Sequence, residues 1–522
     1  MTDTEIGVFH FDLWNEPWIG LEKEGGGLVR LGIGETLLNA HKFRGIFDLS
    51  PLVMVGIHRL LTAILQDLYS PAADKDLKRL WSLRQIDQDD IFEFARKFGD
   101  RFDLFSPDKP FYQSAETSPV PLKGENIKSI ANLIPDVPSG TEHTHYRHGV
   151  QMNQVFCPVC AAGGMVALPA FSTSGGAGIK PSINGVPPLY VIPCGSNLLE
   201  SLLLSLVIPN YQPSARAIDE DQVWWKREPL IPRSAEVVSV GYLHSLTFQP
   251  RRVRLYPEVL DGSCSRCGQP ITFGVRKMIF DMGESRPKDA PAWFDPFVAY
   301  KVRDTKPPIP IRPVEGKAAW REYSNLFLKK PEDETTRKEK TIRPSVLDQI
   351  ADLREGDTGA NTLRCVGMRT DMKAKVFEWV DTGFEVPGNL LRDELAGYQI
   401  DKSIQFASSC ASTIASVFRK TFGGASKDAA RYSQLKSAMM DDYWRGLAIP
   451  FRKLVTMIST TQVYDQPVAE WVEEVTRVAE RCFINAATAI GDEGKHLRKR
   501  YTGERLCRIY LLSAKKKELN NE

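Results

Sequence analysis

The sequence lacks an excess of charge of either sign. Its 522 residues include 67 Lys and Arg against 65 Asp and Glu, which gives a formal net charge of +2. A protein that binds nucleic acid over most of its surface is strongly basic. Any nucleic-acid surface on this chain is therefore expected to be a local patch.

Long apolar runs and export signals are also missing. The apolar run from Leu198 to Pro209 is short and is interrupted by Glu200, whereas a helix needs about 18 apolar residues to cross a bilayer. The first residues, Met1 to Glu5, carry neither the basic nor the apolar region of a signal peptide. We therefore predict a cytoplasmic protein with no membrane partner.

The sequence has no standard phosphate-binding motif. Thr173 to Lys180 is rich in glycine and ends in a base, but Pro181 follows Lys180, so the P-loop spacing is not met. Glycine allows backbone amides to approach a phosphate or a base edge closely. This segment is either a nucleic-acid contact or an ordinary flexible loop.

Three of the eight histidines, His143, His145 and His148, lie close together without an HExxH pattern. A zinc-dependent hydrolase or nuclease would use them as ligands. The alternatives are an exposed loop and a loop that binds a partner.

Cysteine is scarce, and four of the nine cysteines form two CxxC pairs. The pairs are Cys157-Pro-Val-Cys160 and Cys264-Ser-Arg-Cys267, with 103 residues between them. Four thiolates complete a tetrahedral shell around Zn²⁺ and leave no open position for a substrate, so the pattern predicts a structural metal. The alternative is two separate redox-active or incidental pairs.

The elements indicate an α+β fold in two parts. We expect a mixed N-terminal domain over residues 1–388, in which Ser50 and Pro51 begin a long apolar helix, and a C-terminal four-helix bundle over residues 389–522. The last helix is dense in bases, among them Arg498, Lys499 and Arg508. Such bases either contact phosphates or keep the helix soluble.

The order of these features resembles the CasA family, the large subunit of the type I-E CRISPR surveillance complex Cascade. The resemblance rests on Phe11-Asp-Leu-Trp-Asn-Glu-Pro-Trp-Ile19, the helix begun by Ser50 and Pro51, Pro110-Phe-Tyr-Gln113, the two cysteine pairs around a glycine-rich loop, and the helical C-terminus.

The resemblance implies a subunit that is not an enzyme. Its implied role is to recognise the protospacer-adjacent motif in double-stranded DNA, promote duplex opening and guide pairing, and recruit a helicase-nuclease. Its implied partners are the other Cascade subunits, the CRISPR guide RNA, the target DNA and that helicase-nuclease. In a related system the protein likewise reads only the short motif, and base pairing reads the rest.

The resemblance also assigns site residues by position. DNA motif recognition falls on Ser174, Gly175, Gly176, Ala177, Gly178, Lys277 and Met372, with Arg276 as an alternative to Lys277. Met372 stands where the family has a glutamine that separates the first base pair, and an apolar wedge can do the same. Guide-RNA contact falls on Tyr146, Arg147 and His148, and DNA-backbone contact is expected at Lys180, Arg498, Lys499 and Arg508.

Two alternatives to this function stay open. One is the zinc-dependent hydrolase or nuclease, and the other is a structural scaffold without nucleic-acid contact. Binding of the protein to duplex DNA, with and without added metal, distinguishes them.

Overall fold

The chain divides into two units of structure. A computed structural model of the chain describes residues 9–114, 126–134, 154–174, 179–213, 221–229, 235–237, 240–303, 306–314, 317–329, 340–354, 359–370, 376–423, 429–491 and 494–520. The first unit comprises residues 1–313, 344–355 and 361–385, and the second comprises 314–343, 356–360 and 386–522. Residues 314–343 thus belong to the second unit, although the sequence assigned them to the N-terminal domain.

The predicted mixture of strands and helices is confirmed. The strands are β1 (Ile19–Lys23), β2 (Leu28–Leu31), β3 (Phe43–Ile46), β4 (Ile127–Ser129), β5 (Tyr190–Cys194), β6 (Ala235–Glu236), β7 (Arg251–Ser263), β8 (Pro270–Met282), β9 (Glu284–Ser285), β10 (Tyr300–Arg303), β11 (Lys306–Pro310), β12 (Lys340–Ile342), β13 (Ala360–Thr370) and β14 (Val376–Pro387).

The α-helices are α1 (Ile33–Leu38), α2 (Pro51–Tyr69), α3 (Asp74–Trp81), α4 (Gln88–Phe98), α5 (Pro158–Phe171), α6 (Leu198–Leu204), α7 (Tyr242–Leu246), α8 (Tyr323–Phe327), α9 (Ser345–Leu353), α10 (Glu394–Phe422), α11 (Ala429–Gly446), α12 (Ala448–Ser459), α13 (Asp465–Thr488) and α14 (Gly494–Leu519). Single 3-10 turns span Ala40–Lys42, Gly99–Phe102, Ile130–Leu133, Pro209–Tyr211, Trp224–Lys226, Ala319–Glu322 and Gly388–Leu391.

Small sheets, mostly antiparallel, organise the first unit. Their strand orders are β2-β1-β3, β4-β8-β7 and β14-β13-β5, while β10 and β11 form a hairpin and β6 pairs with β9 in parallel. The start of the chain forms an antiparallel hairpin of β1 and β2, with Ile19 opposite Leu31.

Helix α2 is the central helix of the first unit. Pro51 occupies its first position, where a missing N–H costs nothing, and Ser50 precedes it as predicted, although the Ser50 side chain makes no capping bond. Within the described residues it is the one helix long and apolar enough to cross a membrane, and 78% of that apolar stretch is buried inside the structure. Burial of this extent is what a core helix shows.

Helix α5 packs closely against α2. A Cβ atom at Gly56 of α2 would lie 2.5 Å from the carbonyl oxygen of Val166 in α5, so only glycine allows this approach. Helix α5 is apolar on all sides and buried over nearly its whole length, as expected for a helix surrounded by core.

An aromatic cluster fills the core beside these helices. Phe102 contacts Trp14, Phe111 and Trp225 with ring centroids 5.4 to 5.7 Å apart. Phe105 and Tyr112 are buried as well, so the aromatic residues around 102–113 serve packing.

The second unit contains the predicted C-terminal helices. Side chains of α11 and α13 fasten these helices to α10, because Tyr443 Oη donates to Ala407 O at 2.7 Å and Trp471 Nε1 donates to Ser403 O at 2.9 Å. Helix α11 ends at Gly446, and a separate helix, α12, follows after one residue. Pro450 explains the break. It has no N–H to donate to the carbonyl of Gly446, four residues earlier, and its ring clashes with that carbonyl in a continuous helix.

Candidate metal centre and nucleic-acid interface

The four predicted cysteine ligands come together in the first unit. Their sulfur atoms all lie within 4.8 Å of one another, and Cys157 Sγ is 3.8 Å from Cys267 Sγ. Four sulfurs about 2.3 Å from a central zinc lie roughly 3.8 Å apart in a tetrahedron. The cluster therefore has the donor type and the dimensions to hold one tetrahedral metal ion.

Two elements present these sulfurs from opposite directions. Cys157 is the N-cap residue of α5, and its sulfur accepts the amide of Cys160 at 3.4 Å. Cys264 and Cys267 lie in the turn between β7 and β8, where Gly268 has a φ of +74° that favours glycine. The Cys157 amide also points at Cys264 Sγ, 3.3 Å away.

Backbone hydrogen bonds connect the two cysteine knuckles, which are the segments Cys157–Cys160 and Cys264–Cys267. Ser265 N donates to Val155 O at 2.8 Å, and Val155 N donates to Ser265 Oγ at 2.9 Å. Phe156 exchanges two further backbone bonds with Val275 of β8. The segment before α5 thus pairs directly with the hairpin that carries the other two cysteines.

The thiols of the cluster influence one another. Hydrogen bonds with Cys157 and Cys160 lower the pKa of Cys264, whereas hydrogen bonds with Cys157 and Cys264 raise the pKa of Cys160, so several thiolates side by side require a nearby cation. The guanidinium of Arg266 lies 3.9 Å from Cys160 Sγ and offsets part of the negative charge that four thiolates would carry. Because thiolates are the binding form, metal uptake would release protons.

The described ends of the glycine-rich loop lie close together at another part of the first unit. Arg251 Nη2 donates to Thr173 O, and Arg251 Nη1 donates to Lys180 O at 2.8 Å. Ser182 N donates to Ser172 O at 3.1 Å. Ser174 lies at one end of this loop, and Gly175, Gly176, Ala177 and Gly178 lie outside the described residues.

Lys180, one of the predicted DNA-backbone contacts, has partners within the protein. Its Nζ lies 3.1 Å from Glu236 Oε1 and 3.5 Å from Ser285 Oγ. Both side chains of this ion pair are exposed, so the pair adds little stability and a phosphate could replace Glu236.

Lys277 and Arg276 are the two candidates for the cation that contacts the DNA motif, and they differ in exposure and in ion pairing. Lys277 is exposed on β8, the central strand of the β4-β8-β7 sheet, opposite Tyr256 and Ser129. Arg276 lies half-buried on the same strand, with its Nε 2.9 Å from Glu258 Oε1. Lys277 has the accessibility that contact with a groove requires, whereas Arg276 is engaged by a carboxylate.

The predicted bases of the last helix lie in the second unit. Arg498 and Lys499 are exposed on α14. Arg508 is exposed as well, but its Nε lies 2.5 Å from Glu480 Oε1 on α13. The solvent-facing part of this helix therefore offers cations of two kinds, accessible and already paired.

Several predicted site residues fall outside the described residues. They are the guide-RNA residues Tyr146, Arg147 and His148, the wedge residue Met372, and His143 and His145 of the alternative metal site. Met372 belongs to the connection between β13 and β14, whose described ends are Thr370 and Val376.

Sequence reasoning missed two arginines that organise these sites. Arg251 ties the ends of the glycine-rich loop, and Arg266 connects a cysteine knuckle to Asp48. Arg266 had a local signal, because it lies between the two cysteines of one CxxC pair. Arg251 had none, since its acceptors are 71 and 78 residues away along the chain.

Comparison with known proteins identifies the family. Residues 12–482 match the family model of the CRISPR-associated protein Cse1. The chain is 31% identical to the CRISPR-associated protein CasA/Cse1 of Thermus thermophilus over 409 residues, which is 76% of this chain and 75% of that protein.

Solved structures have the same fold. Cse1 from Acidimicrobium ferrooxidans matches with a TM-score of 0.77 and 22% identity, over 98% of this chain and 99% of that one. A chain of a CRISPR RNA-guided surveillance complex matches with a TM-score of 0.73 and 16% identity, over 95% of this chain and 99% of that one. The chain therefore belongs to the CRISPR-associated CasA/Cse1 family.

Proposed function

We propose that this chain is the large, non-catalytic subunit of a cytoplasmic RNA-guided CRISPR surveillance complex. The observation that carries the proposal is the family match over residues 12–482. The likeness to a chain of an RNA-guided surveillance complex supports partnership with other subunits and with a guide RNA. In this role the protein recognises the protospacer-adjacent motif in double-stranded DNA, promotes duplex opening and recruits a helicase-nuclease.

Motif recognition is assigned to the segment from Ser174 to Gly178 together with Lys277. The minor groove is only about 6 Å wide, so a glycine-rich backbone and one long cation can enter it where a helix cannot. The exposure of Lys277 and the pairing of Arg276 with Glu258 support Lys277 as that cation. Lys277 and Met282 are five residues apart on β8, which corresponds to about 17 Å along the strand. Met282 contacts Lys180 at the end of the glycine-rich segment, so Lys277 lies along the same strand as that end.

The remaining assignments complete the role. Met372 unstacks the first base step, and Tyr146, Arg147 and His148 contact the guide RNA by stacking and charge. Lys180, Arg498, Lys499 and Arg508 contact DNA phosphates without reading sequence.

The four cysteines hold a structural Zn²⁺ in this proposal. A catalytic zinc keeps one coordination position for water or substrate, and four thiolates occupy every position of a tetrahedral ion. The ligand set thus supports a subunit that binds rather than one that hydrolyses.

The test is titration of a guide-loaded complex, reconstituted with this subunit, against duplexes with the correct motif and with wrong motifs. Gly176→Val and Lys277→Ala should reduce the preference for the correct motif by about 1–3 kcal/mol for each interaction with a base that is removed. Arg276→Ala is the matched control, because it removes a neighbouring cation that is already paired. Met372→Ala should leave motif binding intact and slow duplex opening.

Equal motif preference in all of these complexes would show that the residue assignment is wrong. Failure of the chain to join a guide-loaded complex would support the scaffold alternative. Cleavage of DNA by the isolated chain with added metal would support the hydrolase.

A further inference from the structure

Arg251 occupies an unusual position for a charged side chain. It is the first residue of β7 and is only 3% exposed. Its guanidinium donates to three backbone carbonyl oxygens, those of Thr173, Lys180 and Pro250. Burial lowers the pKa of Arg251 to about 10, because no carboxylate among the described residues compensates for the removal of water.

These acceptors give Arg251 a specific geometric role. Thr173 and Lys180 are the residues on either side of Ser174 and the glycines, so one rigid guanidinium bridges both ends of the segment. Its planar fork fixes the separation and the relative direction of two carbonyls, which a lysine ammonium cannot do. Met282, which pairs with Arg251 across the hairpin, also contacts this segment, since its sulfur accepts the Lys180 amide at 3.2 Å.

The chain that follows the segment is anchored independently. Ser182 Oγ donates to Pro169 O of α5, and Asn184 Nδ2 donates to Asp295 Oδ2 at 3.1 Å. Asp295 in turn accepts from Arg59 of α2 at 3.1 Å, and both of these side chains are buried. Residues from 182 onward are therefore fixed to the core without Arg251, whose particular contribution is to the segment between Thr173 and Lys180.

Burying a cation without a carboxylate is costly, and an apolar side chain could fill the same volume beside Phe280. Positions that keep a side chain unfavourable for folding stability are often functional sites. The hydrogen bonds of Arg251 indicate a role in the glycine-rich segment, because two of its acceptors, the carbonyls of Thr173 and Lys180, flank that segment.

We propose that Arg251 is a positioning residue for DNA motif recognition, which sets the separation and orientation of the carbonyls of Thr173 and Lys180 that flank the motif-recognition segment. This inference rests on the proposed function, because it assumes that this loop reads the motif. Arg251 itself does not touch DNA in this scheme. Its loss should therefore affect discrimination between motifs rather than affinity for DNA in general.

Arg251→Lys is the test, since it keeps the charge and removes the fork. Guide-loaded complexes are titrated with duplexes carrying correct or wrong motifs and with a target whose protospacer is already open. We expect the ratio of affinities for correct and wrong motifs to fall roughly 5- to 150-fold, the cost of about one base contact. Affinity for the pre-opened target should stay within about twofold of the parent, because a pre-opened target needs no motif recognition to pair with the guide.

Arg101→Lys is the matched control. Arg101 is also a buried arginine of the first unit, stacks over Trp224 and donates to a backbone carbonyl, that of Arg227, at 2.8 Å. The two variants should lower the thermal midpoint by similar amounts, and only Arg251→Lys should change the motif ratio. An equal fall of the ratio in Arg101→Lys would overturn the proposal, because general destabilisation would explain it.

The outcome also separates this inference from the proposed function. If Gly176→Val lowers the motif ratio and Arg251→Lys does not, the positioning role is overturned and the loop assignment stands. If neither variant changes the ratio, both are overturned. If Arg251→Lys fails to join the complex, Arg251→Gln decides, because its neutral amide is less costly to bury and cannot bridge the carbonyls of Thr173 and Lys180. It should lower the ratio in the same direction, and an unchanged ratio would overturn the positioning role.

Discussion

Arg266 and Asp48 form an ion pair that connects a cysteine knuckle to the start of the central helix. Arg266 donates from Nη1 to Asp48 Oδ2 at 3.3 Å and from Nη2 to Asp48 Oδ1, across 218 residues of sequence. Asp48 also accepts the amide of Ser50, which precedes α2, at 2.8 Å. One carboxylate thus serves both the helix start and the candidate metal centre.

This pair should be energetically coupled. The Arg266 side chain is 7% exposed and that of Asp48 is 21% exposed, so removal of one partner leaves the other poorly solvated. A double-mutant cycle with Arg266→Ala and Asp48→Ala should give a coupling of about 1–3 kcal/mol in thermal or denaturant unfolding. The pair Arg364 and Asp381, whose side chains are 34% and 31% exposed, is the control and should give less than about 1 kcal/mol.

Arg266 should also affect metal retention. Because its guanidinium lies 3.9 Å from Cys160 Sγ, Arg266→Gln removes positive charge next to the thiolates. Metal release to a coloured chelator should become faster in this variant, as is typical when a group behind the ligands is removed. An unchanged release rate would mean that the guanidinium serves only the ion pair.

One zinc per chain is expected at the four cysteines. Cys264→Ser should lose the metal and reduce stability by about 3–5 kcal/mol, the size expected for opening a crosslink across roughly 100 residues. Elemental analysis and thermal unfolding measure these two effects. Cys194→Ser is the control, since Cys194 is a partly buried cysteine of the same unit outside the cluster. A metal-free protein of unchanged stability would contradict the prediction.

His58 should make the first unit sensitive to acid. Burial, followed by the charges of Arg59 and Arg364, lowers the pKa of His58 from 6.5 to about 3, and His58 Nε2 lies 2.8 Å from Ser205 Oγ. Below pH 6.5 the unfolded chain binds a proton that the folded chain does not. Folding stability should therefore fall by about 1.4 kcal/mol per pH unit as the pH decreases from 6.5 toward 3.

His58→Gln removes this titration. Thermal unfolding of the parent and the variant across this pH range should show their stability difference shrinking as the pH falls. His10→Gln is the control, because the His10 side chain is exposed. A parallel pH dependence in the parent and His58→Gln would assign acid sensitivity to other groups.

The bases of α14 should supply affinity that does not depend on sequence. Arg498→Glu and Lys499→Glu should weaken binding to all duplexes alike and flatten the salt dependence by about one unit of slope for each phosphate that is no longer neutralised. Arg508→Glu should have the smaller effect, since Glu480 already engages Arg508. Lys453→Glu on α12, an exposed lysine paired with Glu470, is the charge-matched control. Weakening confined to one motif sequence would contradict this role.

The features that could be predicted from the sequence are those with local causes. Ser50 and Pro51 predict the start of α2 because both residue types favour helix N-termini. The two cysteine pairs predict that they lie together because four thiolates could coordinate one metal ion. His58 is a similar case, because apolar residues at helical spacing surround it on α2, and its side chain is buried.

The features that could not be predicted depend on partners far along the chain or on interrupted patterns. The long hairpin of β7 and β8 could not be predicted from the sequence. Pro257 and shifts of register after Tyr256 and Val259 interrupt the alternation of apolar and polar residues along its strands. Its turn also looks like a metal knuckle rather than a hairpin. Arg251 owes its role entirely to distant carbonyls, which no local pattern encodes. Arg266 lies between two paired cysteines, which is a local signal, but its ion pair with Asp48, 218 residues away, has none.

The distance in sequence between the two knuckles has a consequence during synthesis. Cys157 and Cys160 emerge from the ribosome 103 residues before Cys264, and at 5–20 residues per second this interval lasts roughly 5–20 s. Throughout that time the first pair has no second pair with which to share a metal, although the start of α5 that it caps can already form. The part of the first unit made before the hairpin of β7 and β8 therefore carries the thiols of Cys157 and Cys160 without their two partner cysteines until that hairpin has been synthesised.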